Sequence, residues 1–441
     1  MQTEILRVSQ YVLKHPILNE RENYKKKYLN TLEYFVRKYS NDNPYSVKLL
    51  EIYKNKLLSN PEKYDYEDEE LRKISKGVMA WKMKRFKFFS YRYCLLVDVI
   101  FVCSFLEFEK SRNIYDEILQ IYNKRYWKKL ELLFNYIVGD TEECADLDKI
   151  DYLVRCIENN RIYLQEKERS ILVTANMSAG KSTLLNALIG KKVNRTQNEA
   201  CTAKIHWLLN KAFEDTLSYE YDFELELDAS YDVLMNDNKK NRQKEIYVAT
   251  KFRSINNVDI PIHYIDTPGV NSSQNELHKS VSEKAILKLK YDVMMYVMNA
   301  ENIGTDDDRK HLEYVAENFK GKVIFVVNKI DRFREEDSVE ETLNQVKNEL
   351  VDIGFEQPLV CPISAYAAYL AKMNMFGEEI NEDEKDELEM FYRKMNKEKY
   401  RLNNYFPKEY QSINVSEDKN EQLLLHSGIL SLERILYERG K

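Results

Sequence analysis

Glycine and proline are scarce in this sequence, with 11 Gly and 8 Pro among 441 residues. Since the many turns of an all-β fold need these residues, their scarcity argues against such a fold and favours long helices. The length allows two or three domains, with enough interior to bury a core.

Cysteine is also scarce, and the six cysteines are scattered along the chain. Because no two of them form a C-x-x-C pair, the sequence predicts neither a disulfide framework nor a zinc site. The N-terminus, MQTEILRVSQ, lacks the basic-then-apolar layout of a secretion signal. These features predict a cytosolic protein.

Neither sign of charge is in large excess. The formal net charge is −6 at pH 7, which provides no general attraction to nucleic acid or to anionic lipid. We therefore expect no nucleic-acid partner, and any contact with a membrane must be local.

No apolar segment is long enough to cross a bilayer. Residues 94–106 come nearest, but the run is too short and Asp98 lies near its middle. The stretch before it, residues 81–92, contains five Lys or Arg and no acid, and we call it the basic segment. Two interpretations stay open: residues 81–108 form the buried central helix of a bundle, or the basic segment binds the inner face of a membrane.

Apolar residues recur at helical spacing through the first 168 residues, as at Leu119, Tyr122, Tyr126 and Leu130. Pro, Gly and Asn interrupt this pattern where one helix ends and the next begins. The sequence thus predicts an all-α N-terminal domain, residues 1–168, with five or six helices. Its role stays open between part of a stalk and a region that binds a membrane or protein partner.

Residues 170–190, SILVTANMSAGKSTLLNALIG, have the pattern of a strand, a loop and a helix. The apolar strand covers residues 170–174, the tight loop covers residues 175–180, and the helix begins at Lys181. The loop matches the pattern G-x-x-x-x-G-K-[ST], except that Ala175 stands at the first glycine.

A polyphosphate needs groups that replace the water around its negative charges. Consecutive N–H groups at a helix N-terminus do this, Gly180 lets the backbone approach closely, Lys181 reaches the β- and γ-phosphates, and the Ser182 hydroxyl binds Mg²⁺. The sequence therefore predicts a nucleoside triphosphate at this loop. The residues expected to contact it are Asn176, Met177, Ser178, Ala179, Gly180, Lys181, Ser182 and Thr183.

A polar stretch, residues 194–204, separates this helix from the next apolar run. In a GTPase, a mobile loop brings a threonine to Mg²⁺ and the γ-phosphate. We predict Thr202 in this role, with Thr196 as the second choice. The alternative is that both are ordinary loop residues.

The stretch IPIHYIDTPG, residues 260–269, is an apolar strand followed by a turn. The strand places Asp266 at its C-terminal end, where the carboxylate can bind Mg²⁺ through water, and Gly269 can offer its N–H to the γ-phosphate. The position downstream of a phosphate-binding loop favours this role over an ordinary turn. The predicted metal ligands are therefore Ser182, Thr202 and Asp266.

The motif Asn328-Lys329-Ile330-Asp331 follows an apolar strand, residues 322–327, and indicates which base is bound. The Asp331 carboxylate can accept hydrogen bonds from N1–H and the exocyclic amine of guanine, whereas adenine would leave it unpaired. We expect Asn328 to connect neighbouring loops and the stem of Lys329 to lie over the base. The predicted cofactors are GTP or GDP, and Mg²⁺.

Two further segments belong to this half of the chain. After a strand at residues 358–363, a backbone N–H of Ser364 or Ala365 is expected to contact the guanine carbonyl. Residues 305–308, TDDD, open a helix, and we interpret the three acids as caps favoured by the helix dipole.

Taken together, these elements resemble the G domain of a GTPase, a doubly wound α/β fold of the P-loop class, over residues 169–441. Among GTPases, the chain resembles the dynamin superfamily and in particular the bacterial dynamin-like proteins. The resemblance rests on the phosphate-binding stretch, the long gap between Thr202 and Asp266, residues 291–312, and the S-G-I-x-x-L element at residues 427–432.

The resemblance implies an enzyme that hydrolyses GTP to GDP and phosphate, with Ser178, Lys181 and Thr202 as its catalytic residues. It also implies self-association through the G domains, movement of helices coupled to turnover, and action at membranes. Classical dynamins have a glutamine at the position of Met177 and use it to place the attacking water. Met177 cannot do this, because a thioether cannot donate a hydrogen bond. Family members also continue into a long helical stalk, so either the chain is a fragment, or residues 1–168 supply part of a stalk, or a partner carries the membrane contact.

Two functions therefore stay open. The first is a GTP-hydrolysing protein that self-associates and acts at the inner face of a membrane. The second is a GTP-controlled switch or scaffold that turns over slowly, binds a protein partner and has no direct lipid contact. The family resemblance favours the first, and Met177 favours the second.

Overall fold

The structure, a computed structural model, describes residues 3–63, 91–142, 150–176, 178–193, 204–236, 244–256, 258–270 and 276–438. The chain divides into two compact units. The first contains Met1–Glu166, Lys211–Tyr219 and Glu224–Asp228, and the second contains Lys167–Asn210, Glu220–Phe223 and Ala229–Lys441. The predicted boundary between a helical domain, residues 1–168, and a GTPase domain, residues 169–441, stays a prediction.

The described part of the first unit is built mainly from α-helices, and the described ranges contain six of them. They are α1 (Glu22–Tyr39), α2 (Pro44–Leu57), α3 (Arg92–Ser104), α4 (Phe108–Ile121), α5 (Trp127–Val138) and α6 (Asp151–Gln165).

Helix α3 is the central helix of this unit. It contacts each of the other five helices, and every residue of it except Tyr93 is buried, which explains an apolar sequence without a polar face. The buried-helix interpretation is therefore confirmed for Arg92–Ser104. Most of the basic segment, residues 81–90, lies outside the described residues. No helix in the described ranges is long and apolar enough to cross a membrane.

The carboxylate of Asp98, in the middle of α3, is fully buried. It accepts hydrogen bonds from the hydroxyls of Tyr28, Tyr11 (2.8 Å) and Tyr53 (3.1 Å), and His15 Nε2 lies 2.9 Å from it. Because a buried carboxylate without partners is costly, these donors allow an acid inside the apolar core. Burial beside this charge raises the pKa of all three tyrosines well above the usual value.

The second unit contains a mixed β-sheet. The strands of the chain are β1 (Arg169–Ala175), β2 (Ile205–Asn210), β3 (Tyr219–Tyr221), β4 (Leu225–Glu226), β5 (Glu245–Thr250), β6 (Ile262–Asp266), β7 (Val293–Asn299), β8 (Lys322–Asn328) and β9 (Leu359–Pro362). Across the second unit the order is β5-β2-β6-β1-β7-β8-β9. Strand β2 is antiparallel to β6, whereas all other neighbours in this order are parallel.

Helices connect the parallel strands of this sheet, and the predicted α/β class is confirmed. The helices are α7 (Lys181–Ile189), α8 (Tyr231–Asn236), α9 (Glu276–Lys288), α10 (Asp306–Asn318), α11 (Val339–Ile353), α12 (Ala365–Met375), α13 (Glu382–Met395), α14 (Lys408–Gln411), α15 (Lys419–His426) and α16 (Ile429–Tyr437). Strands β1, β6 and β7 are almost wholly buried, as expected for parallel strands covered on both faces. The carboxyl ends of β1, β6, β7, β8 and β9 therefore lie at one edge of the sheet.

The C-terminal S-G-I-x-x-L element, residues 427–432, packs against the end of β9. The Ser427 carbonyl accepts a hydrogen bond from Ser364 N at 3.0 Å, just after β9. Gly428 has a positive φ of +79°, and a Cβ there would meet the Pro362 carbonyl at 2.5 Å, so a glycine is required. The element thereby fixes the end of β9.

A buried ion pair joins two helices of the second unit. Lys372 Nζ of α12 lies 2.5 Å from Glu433 Oε1 of α16, and both side chains are fully buried. The same ammonium donates to the carbonyls of Leu188 (3.2 Å) and Arg253 (2.8 Å). Burial lowers the pKa of Lys372, while these oxygens compensate its charge. The pair links the end of α7 to the last helix.

Candidate nucleotide-binding site

The phosphate-binding loop lies between β1 and α7, as predicted. Ala175 still belongs to β1, and its carbonyl accepts from Val270 N at 3.0 Å. Because this position is an extended strand residue, it does not need the glycine of the usual pattern. The loop then turns through positive φ at Ser178 (64°) and Gly180 (83°). The N–H groups of the first turn of α7 lack partners within the helix, so they are available to an anion.

Gly180 lies directly against the guanine-recognition motif. A Cβ at this position would clash with the amide Nδ2 of Asn328, and it would lie 3.8 Å from Cε of Lys329. The loop predicted to bind the phosphates and the loop predicted to bind the base therefore touch at this point.

We expect Gly180→Ala to lower GTP affinity by about tenfold or more, since it would displace the loop and strain the backbone by about 1–2 kcal/mol. Gly377→Ala is the matched control, because Gly377 has a similar φ of +72° but nothing lies within 4 Å of an added Cβ. Calorimetric titration with GTP and thermal unfolding of both variants test this. Equal GTP affinity in the two variants would contradict the proposed close packing.

Lys181 and Asp266 form an ion pair through Nζ and Oδ1, and both side chains are largely buried. Asp266 ends β6, as predicted, and His206 Nδ1 lies 4.0 Å from its other oxygen. The strand order places β6 beside β1, which explains how residues 85 positions apart meet. When a Mg²⁺-polyphosphate binds, phosphate oxygens would replace Asp266 as the partner of the Lys181 ammonium, and the metal would replace Lys181 as the partner of the Asp266 carboxylate.

The donor set here fits Mg²⁺ bound mainly by phosphates. No cluster of three or more His, Cys, Asp or Glu suited to a metal occurs among the described residues. Mg²⁺ usually takes one or two protein oxygens and completes its shell with phosphates and water. The carboxylate of Asp266 and the hydroxyl of Ser182, in the first turn of α7, are oxygen donors of this kind.

Asn328 connects three segments of the site. Its Nδ2 donates to the Ala179 carbonyl at 2.9 Å, and its Oδ1 accepts from Ala365 N at 3.0 Å. This buried side chain therefore ties the end of β8 to the phosphate-binding loop and to the start of α12. The connecting role predicted for Asn328 is confirmed.

The Asp331 carboxylate is oriented by its neighbour after β9. Its Oδ1 accepts from the Ser364 hydroxyl at 2.7 Å, while Lys394 Nζ donates to its backbone carbonyl at 2.6 Å. Burial raises the pKa of Asp331, opposed by the Ser364 hydrogen bond, and burial lowers the pKa of Lys329. Lys329 has a positive φ of 69°. In this arrangement the carboxylate can still accept hydrogen bonds from a base.

The backbone N–H groups of Ser364 and Ala365, one of which is expected to contact the guanine carbonyl, both donate within the protein. Ser364 N donates to the Ser427 carbonyl and Ala365 N donates to Asn328, so both N–H groups already have protein partners. A contact from Ala365 to the base would require this N–H to be shared or released. The contact stays a prediction.

The interpretation of residues 305–308 as three caps is wrong for Asp308. Thr305 is the N-cap of α10, and its hydroxyl accepts from Asp308 N at 3.4 Å. The Asp308 carboxylate is buried and accepts from the Asn176 amide and from the Tyr296 hydroxyl (2.9 Å). The spacing of Asp308, His311, Leu312 and Val315 could have revealed this, because it places Asp308 on the buried face of the helix.

Three predicted positions lie outside the described residues. They are Met177, Thr196 and Thr202. Gly269 follows β6, and the next residue, Val270, forms a bridge with Asn176. The structure thus brings together Lys181, Asp266, and the pair Asn328 and Asp331 from three distant parts of the chain.

The comparisons with known proteins agree with this geometry. Residues 171–330 match the model of the dynamin family. Dynamin-like protein A of Bacillus subtilis is 28% identical over 170 residues, which are 38% of this chain and 14% of that protein. A probable transmembrane GTPase, FZO-like and chloroplastic, of Arabidopsis thaliana is 25% identical over 209 residues, which are 46% of this chain and 20% of that protein.

The chain thus spans a fifth or less of the length of these relatives. Among solved structures, Era in complex with MgGDPNP and nucleotides of 16S ribosomal RNA aligns with 20% identity and a TM-score of 0.28, over 46% of this chain and 52% of that one. The family match and the dynamin-like relative thus show that residues 171–330 are similar to the dynamin family.

Proposed function

We propose that this protein binds GTP with Mg²⁺ in the second unit and hydrolyses it to GDP and phosphate. The observation that carries the proposal is the continuous set of contacts at one sheet edge. Lys181 pairs with Asp266, and Asn328 connects the phosphate-binding loop to Ala365. Asp331 lies beside this connection through Ser364.

Each group has a role that its chemistry suits. The N–H groups from Ser178 to Thr183 and the ammonium of Lys181 would neutralise the β- and γ-phosphates. Ser182 and Asp266 would bind Mg²⁺, which would help to neutralise the charge of the phosphates, and Thr202 is proposed as a further ligand. The Asp331 carboxylate would select guanine, because adenine lacks the donor at N1.

Hydrolysis needs a group that orients the attacking water. Ser178, Lys181 and Thr202 are the proposed catalytic residues, with Lys181 stabilising the charge that develops on the γ-phosphate. Met177 cannot orient water through a side-chain hydrogen bond. Backbone groups and Thr202 therefore have to perform this task, or turnover is slow.

We further propose that two such domains associate during turnover and that the protein acts at a membrane. The dynamin-family match supports association, and a relative named as a transmembrane GTPase supports a membrane setting. The basic segment of the sequence is the proposed contact with anionic lipid. Met177 favours the second candidate function, a GTP-controlled switch that turns over slowly and binds a protein partner instead of lipid.

One series of measurements separates these two functions. For the membrane-acting enzyme, we expect GTP turnover per molecule to rise with protein concentration and the protein to pellet with liposomes that contain anionic lipid. A variant with Lys82, Lys84, Arg85 and Lys87 changed to serine should lose the pelleting and keep GTP binding. Constant specific activity together with no pelleting would support the switch.

A further inference from the structure

Asp308 lies behind the phosphate-binding loop, although it belongs to a different strand–helix unit. Only 4% of it is exposed. Its Oδ1 accepts from two donors, the Asn176 side-chain amide and the Tyr296 hydroxyl on β7. Since Thr305 already caps α10, Asp308 is not needed to begin that helix.

Asn176 is the residue through which Asp308 reaches the loop. It directly follows β1, its backbone bridges to Val270, and its carbonyl accepts from Ala179 N at 3.3 Å. One residue thus contacts the loop, the segment after β6 and, through its amide, the Asp308 carboxylate. A movement of this amide would therefore be transmitted to Ser178, Ala179 and Gly180.

We propose that Asp308 is a positioning residue for the reaction, whose ionised carboxylate fixes Asn176 and thereby the phosphate-binding loop. The inference rests on the proposed GTP hydrolysis. Asp308 contacts Asn176 next to the loop, so it would act on turnover through the loop. A charge-assisted hydrogen bond is shorter and roughly twice as strong as a neutral one, which gives the ionised form its advantage.

The surroundings of Asp308 make its charge sensitive to pH. Burial, helped by the nearby charge of Glu349, raises the pKa of Asp308 to about 6, against the opposing effect of the hydrogen bonds from Tyr296 and Asn176. His311, whose ring lies tilted against Tyr296 with the centroids 5.4 Å apart, has a pKa lowered to about 4 by burial and by Lys279. It is therefore neutral above pH 5 and supplies no compensating charge.

Turnover and stability should respond to this proton in opposite directions. Turnover needs the carboxylate, so it should fall as the pH decreases through about 6. The pKa of Asp308 in the fold, about 6, lies above its ordinary value of 3.8. The folded protein therefore binds the proton more tightly, and the contribution of this group to stability decreases as the pH rises from about 4 to about 6.

The test measures kcat for GTP from pH 5 to 8, together with GTP affinity at pH 7.5. We expect Asp308→Ala to lower kcat by about tenfold to a hundredfold, because a small displacement of the loop would misplace the phosphates relative to the attacking water. Asp308→Asn keeps an acceptor but cannot ionise, so its kcat should be intermediate and independent of pH between 5 and 7. Asp306→Asn, an exposed acid in the same turn, should keep the wild-type profile.

Tyr296→Phe provides a second variant in case changes at Asp308 impair folding. It removes one hydrogen bond that lowers the Asp308 pKa, so the acid limb of the kcat profile should move to higher pH. An acid limb that is unchanged in Asp308→Asn or in Tyr296→Phe would overturn the inference. Absence of GTP binding in the wild-type protein would instead overturn the proposed function, so the two failures are distinguishable.

Discussion

Replacing Lys181 by alanine is expected to lower GTP affinity by about a hundredfold or more. The ammonium is the only side-chain cation predicted to contact the β- and γ-phosphates, and charge-assisted hydrogen bonds are each worth about 1.5–3 kcal/mol. The loss should be enlarged by Asp266, whose carboxylate pairs with Lys181 and would then repel the phosphates. Isothermal titration with GTP and Mg²⁺ measures the effect.

Lys192→Ala is the control for this variant. Lys192 follows the same helix, α7, but its ammonium lies over the ring of Tyr231, 5.0 Å from the centroid. The variant removes an equal charge and should retain GTP affinity within about twofold, since Lys192 lies beyond the C-terminal end of α7, away from the loop that precedes the helix. Micromolar GTP affinity that survives in Lys181→Ala would refute the phosphate site.

Replacing Asp331 by asparagine is expected to convert the preference for guanine into a preference for xanthine. The asparagine Oδ1 can still accept from Ser364, as Asp331 does at 2.7 Å. The other carboxylate oxygen is replaced by an NH₂ group, which is a hydrogen-bond donor. This donor would face another donor, the exocyclic amine of guanine, but it could donate to the carbonyl that xanthine has at the same position. Each mismatched buried pair costs about 1–3 kcal/mol, so GTP affinity should fall by about tenfold to a hundredfold.

Competition between GTP, XTP and ATP measures this change in preference. Asp352→Asn, an exposed acid on α11, is the control and should keep the wild-type order of affinities. If Asp331→Asn leaves the ratio of GTP to ATP affinity unchanged, the base binds elsewhere.

The sequence predicted the strands and loops of the nucleotide-binding half well, because each motif follows a short apolar strand. Parallel strands end at the same edge of a sheet, so Lys181, Asp266 and Asp331 could be assigned to one crevice from motif order alone. The structure places β6 and β7 on either side of β1, which is the arrangement that brings these residues together.

What the sequence could not predict depends on contacts between distant segments. The spacing along α10 places Asp308 on the buried face, unlike the exposed Asp306. It does not indicate that the Asp308 carboxylate accepts from Asn176 and from Tyr296 of β7. Likewise, nothing near Ala365 in the chain indicates that its N–H donates to Asn328.

The helical unit shows the same limit. The apolar run around Asp98 allowed a buried helix or a membrane contact, because hydropathy alone does not distinguish the two environments. The hydroxyls of Tyr11, Tyr28 and Tyr53 come from three other segments of the chain and satisfy the acid inside the core. Only the structure could identify these partners.

The most direct test of the site is a crystal structure of the protein with Mg²⁺ and a non-hydrolysable GTP analogue. We expect the phosphates against the N–H groups from Ser178 to Thr183, the metal near Ser182 and Asp266, and the guanine edge on the Asp331 carboxylate. A nucleotide bound anywhere else, or a guanine that does not reach Asp331, would contradict the convergence of these segments on one GTP site.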